Sequence, residues 1–140
     1  MIRLTSTNDV LELSLADAVA SDELEIVVCF SDHTATNYIG DAQASLSDGA
    51  SDVEIVSAPD ADTIRDIDFI SVYNADSVPA VVTIKIDVSS VESVLGTWTL
   101  QPGDTLFYTH SGGWSVVGAD GSTRLAISLQ EAFQRSWFGF

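Results

Sequence analysis

Apolar and polar residues alternate with a period of two along most of this chain, the signature of strands with one buried face. Leu11, Leu13 and Leu15 alternate with Glu12 and Ser14, which puts three leucines on one face. Across Val81 to Val88, Val82, Ile84, Ile86 and Val88 alternate with Val81, Thr83, Lys85 and Asp87. In Asp62 to Tyr73, alternation places Ile67, Phe69, Ser71 and Tyr73 on one face and Asp66, Asp68, Ile70 and Val72 on the other. Leu24 to Phe30 is more uniformly apolar and rich in β-branched residues, which predicts a central strand covered on both sides. From Ser31 to Asp52, Ser, Asp, Asn and Gly predominate. That predicts a long exposed connection with at most one short strand near Thr36 to Ile39.

Turn formers punctuate these runs. The "NADSVP" link predicts a hairpin between the strand ending at Tyr73 and the one starting at Val81. Pro102-Gly103 in "QPGD" suits a type II turn, with a second hairpin joining Val94 to Leu100 and Thr105 to Thr109. Gly112-Gly113 and Asp120-Gly121 reverse the chain twice more around Trp114 to Val117. About eight or nine short strands, with no convincing long helix before residue 123, predict an all-β fold, an antiparallel β-sandwich or jelly-roll-like barrel. The domain is expected to span residues 1–122. Residues 123–140 then form a C-terminal strand or short helix and an aromatic tail, not a second domain. In that tail Phe133, Trp137, Phe138 and Phe140 crowd together at a terminus, where polar residues are the rule.

At 140 residues the chain can bury one substantial core, removing about 70% of its unfolded surface from water. Its longest apolar runs are far shorter than the roughly 18 to 20 residues that cross a bilayer, and no signal peptide is expected at its start. Charge narrows the partners further. Twenty-one Asp and Glu face five Lys and Arg, a net charge of −16 that repels phosphate backbones and anionic lipid, so neither nucleic acid nor membrane is expected as a partner. Many such chains packed together would repel one another, and salt screens that repulsion over about 8 Å at physiological strength.

Candidate chemistry is sparse. Cys29 is the only cysteine and lies in an apolar run, as a small buried thiol would. His33 and His110 are expected in exposed loops, and no nucleophile elbow, phosphate cradle or paired-histidine motif is present. The acidic stretches Asp48 to Asp52 and Asp60, Asp62, Asp66 and Asp68 have calcium-like composition without the ordered spacing that surrounds one ion. The chain is therefore expected not to be an enzyme and to need no cofactor or metal. Trp98, Tyr108 and Trp114 lie near turns where a ring could stack on a sugar, although core packing is the commoner role.

Several segments resemble a family of small β-rich bacteriophage virion proteins. They are Met1 to Thr7 ("MIRLTST"), Ser71 to Asp76 ("SVYNAD"), Val82 to Ile84, Leu100 to Tyr108 ("LQPGDTLFY") and Gly113 to Val116 ("GWSV"). The resemblance implies a virion structural protein, with a capsid decoration or cement role ahead of a tail, adaptor or fibre-associated one; a carbohydrate-binding module is the third reading. It further implies location in the virion, contact with other virion proteins, the major capsid protein foremost, and a homo-oligomer. Phe133, Trp137, Phe138 and Phe140 are the expected interaction residues, since buried aromatics dominate interface energies.

Overall fold

A computed structural model describes residues 1–124. The alternating segments form two antiparallel sheets packed face to face, a β-sandwich without barrel closure and, among the described residues, without a helix. The larger sheet has the order β11 (Thr123–Arg124), β10 (Gly113–Val117), β9 (Thr105–Thr109), β6 (Ile64–Tyr73), β3 (Glu25–His33), β4 (Tyr38–Leu46). The short β1 (Ile2–Leu4) pairs with β6 beside β9. The smaller sheet has the order β5 (Val53–Val56), β2 (Val10–Leu15), β7 (Ala80–Val88), β8 (Val91–Leu100). The β2 leucines, with Ile55, Val82 and Ile84, bury against Ile26, Val28, Ile70, Val72 and Leu106 of the larger sheet. Each such side chain contributes about 1.5 to 3 kcal/mol by leaving water.

Several expected details change. The segment read as a long connection contains β4, a nine-residue edge strand whose mostly exposed side chains supply no apolar alternation to read. Neither predicted hairpin around the 74–79 and 101–104 links forms, because β6 and β9 lie in one sheet and β7 and β8 in the other. Both links carry the chain across the sandwich. The turn chemistry at the second holds nonetheless: the Asp104 N–H donates to the Gln101 carbonyl, and Gly103 takes φ +83°. A hairpin that the turn residues do not announce joins β7 to β8 through Ser89-Ser90, both at positive φ, while the expected reversals at Gly112-Gly113 and Asp120-Gly121 do form, between β9, β10 and β11. A bulge opposite Cys29 and Phe30 breaks the alternation of β6 at Asp68, so Ile67 shares the buried face with Ile70 and Val72. Among the described residues the sandwich has eleven strands, and β11 extends the larger sheet just past residue 122.

The crossings are held by side chains from the segments that carry the virion-protein resemblance. Asn74 is fully buried; its Nδ2 donates to the carbonyls of Val78 and Leu100, and its Oδ1 accepts from the Asp76 N–H. Its backbone exchanges bonds with Asp104 and Gly103, which locks the "NAD" and "QPGD" links together. Asp76 in turn accepts backbone N–H bonds from Ala20, Ser21 and Ser77, and these hold its carboxyl far below the usual range against the opposing effect of burial. The Tyr108 hydroxyl accepts from the Ile2 N–H, tying the N-terminal segment to β9.

Candidate interaction surface

The register of the larger sheet assigns its outward face row by row. One row reads Leu46, Glu25, Tyr73, Thr105, Val117; the next Ala44, Val27, Ser71, Phe107, Ser115; the third Ala42, Cys29, Phe69, Thr109, Gly113. In these three rows the one charged residue is Glu25, at the margin. Leu46 is 58% exposed, and Val27 and Tyr73 are each 39% exposed, while Phe69 and Phe107 meet at 5.7 Å between ring centroids. No described strand covers this face, since the smaller sheet packs on the opposite side.

The outward face of the smaller sheet is the reverse in chemistry. Glu12 stands opposite both Lys85 and Glu54, and Asp87 opposite Glu92. Burial, with the charges of Asp52, Glu92 and Asp87 beside it, raises the Glu12 carboxyl above its usual value despite Lys85. Lys85 Nζ lies 2.6 Å from Asp52 and 2.5 Å from Glu92, so an ammonium already occupies the middle of this group. Among the described residues, Glu12, Asp52 and Glu92 are also the carboxylates that could converge on one cation. The aspartates from 60 to 68 do not gather; Asp66 is held by Arg3 Nε at 2.6 Å.

The three aromatics read as possible sugar contacts do come together, at the open edge between the sheets. Trp98 and Trp114 lie with centroids 4.5 Å apart and a tilt of 37°, and Trp114 also meets Tyr108 at 4.9 Å. Tyr108 is 4% exposed, and Trp98 lies directly over Gly96, where a Cβ would come within 2.4 Å of the indole. One face of Trp98 is therefore against backbone and the other toward Trp114, the geometry of a clasp between sheets. An open cleft of about 440 Å³ beside it is lined by Thr97, Thr99, Ser115 and Arg124 as well as the two indoles.

His110 lies in an exposed turn, as expected, but His33 does not lie in a loop. It ends β3, half-buried, with Nε2 3.3 Å from Asp66 and its ring edge-on to Tyr38. Ser31 bonds to Asp68 and to the Tyr38 hydroxyl, not to an imidazole. Cys29 is half-buried in the outward face of the larger sheet. Phe133, Trp137, Phe138 and Phe140 lie outside the described residues.

The outward face was missed in the sequence although its signal was present. "EIVVCF", "DFISVY" and "TLFY" are apolar in both phases of the alternation, which in β3 predicts cover on both sides. The second apolar phase instead forms the exposed rows. Compared with protein-family models, curated proteins and solved structures, the chain has no match.

Proposed function

We propose that this chain is a non-enzymatic structural protein of a bacteriophage virion, a capsid decoration or cement domain that binds the shell through the outward face of its larger sheet. The observation that carries this reading is the three-row patch on that face: its one charge is Glu25 in a chain of net charge −16, and polar residues rim it. An apolar surface that no described part of the domain covers marks an interaction site. Five strands by three rows give a footprint of roughly 500 Å². The sequence resemblance supplies the setting. Its motif residues serve as clamps between sheets, which accords with a family defined by fold and assembly and not by an active site.

In this reading the partner is the major capsid protein, and the acidic face of the smaller sheet points to solvent. The aromatic tail residues Phe133, Trp137, Phe138 and Phe140 provide a further anchor. Copy number on intact particles, measured by quantitative mass spectrometry, tests the assignment. Hundreds of copies per particle are expected for a shell protein. A dozen or fewer would move the chain to the tail, and its absence from particles would end the virion reading.

A further inference from the structure

We infer that β4 is a pairing edge for a second copy of this chain, and that two copies join their larger sheets into one across a two-fold axis at Ala42. A free strand edge presents unpaired N–H and C=O groups, and folded proteins protect long edges with Lys, Pro, bulges or covering segments. β5 and β11 are too short to pair extensively, at four and two residues. β8 carries a bulge against β7 and the charge of Glu92. β4 has the least protection: its nine residues pair with β3 in unbroken register, it contains neither Lys nor Pro, and its one charge is Asp41. The Ala42 N–H on this strand donates to the Asp41 carboxylate at 2.8 Å, a neighbouring side chain standing in for a strand partner.

The side chains of β4 are complementary to themselves in one antiparallel register. With Ala42 opposite Ala42 of the second copy, Tyr38 meets Leu46, Gly40 meets Ala44, Ile39 meets Ser45 and Asp41 meets Gln43. Tyr38 and Leu46 pair as apolar groups, Gly40 and Ala44 as small ones, Ile39 faces the small Ser45, and no carboxylate faces another. The same register keeps outward residues outward, so the uncharged faces of the two copies run together. The combined footprint is roughly 1,000 Å², more than the roughly 800 Å² per partner of a standard interface, whereas one face alone falls short. The pairing stands apart from the virion assignment, and it is tested on the isolated full-length chain.

Sedimentation velocity of the full chain is expected to show a reversible dimer. Ala42→Lys sets two ammonium groups directly opposite each other at the axis, and is expected to weaken that dimer by about tenfold or more while the melting temperature, measured at concentrations where the wild type is monomeric, stays unchanged. In a Cys29→Ser background, Ala42→Cys is expected to give a disulfide-linked dimer on mild oxidation, because opposed Cα atoms at about 4.5 to 5.5 Å lie within disulfide reach. Val94→Cys on β8, in the same background, is expected to stay monomeric on a non-reducing gel. A monomer at all concentrations would overturn the inference. So would a dimer indifferent to Ala42→Lys together with failure of the Ala42→Cys crosslink, and if Ala42→Lys does not fold, the crosslink alone decides.

Discussion

Single residues in the two sheet-to-sheet links carry more of the fold than their polar character implies. Asn74 satisfies two carbonyls and one N–H in a fully buried site. Asn74→Ala leaves those groups unpaired and is expected to cost about 3 kcal/mol, lowering the melting temperature by about 10 °C. Carboxylates fix the pH dependence. Asp66, held down first by its bond to Arg3, and Asp76, held down by backbone N–H groups, titrate below the unfolded range. Their stabilisation is complete above the unfolded pKa near 4 and is lost as pH falls through their folded values, so thermal melts are expected to fall steeply below about pH 4. Glu12 has the opposite sign, because its folded pKa is raised by burial and by neighbouring acids. Glu12→Gln is expected to raise the melting temperature at pH 7, and that gain should disappear once the wild-type carboxyl is protonated in acid.

At the scale of elements, legibility followed apolar alternation. β2 and β7 were readable because one face is buried and the other wet, and the type II turn at Pro102-Gly103 was readable because its backbone demands those residues. β4 was not, since an edge strand needs no apolar side chains to be held by its backbone. Hairpins were misassigned for a different reason: turn residues say that a chain reverses, but not whether it returns to the same sheet. The β7–β8 turn carries no turn signal in the sequence because Ser89-Ser90 occupies a position where Asn-Gly is usual. Ser89→Asn with Ser90→Gly is therefore expected to stabilise by about 1 kcal/mol, read as a rise of about 4 °C in a thermal melt.

For the whole molecule, the two outward faces divide the chemistry: acid on the smaller sheet, and on the larger a three-row patch whose one charge is Glu25. Composition revealed the acidity but not its placement, because sheet register decides which residues share a face, and the Asp68 bulge resets that register in β6. The candidate site was thus visible as doubly apolar runs and invisible as a surface. Occupancy on purified particles, compared between the wild type, Val27→Glu on the uncharged face and Val94→Glu on the smaller sheet, tests the proposed role most directly. The account predicts that the wild type and Val94→Glu remain bound in hundreds of copies while Val27→Glu is shed with its melting temperature within a few degrees of the wild type. Equal retention of Val27→Glu would contradict it.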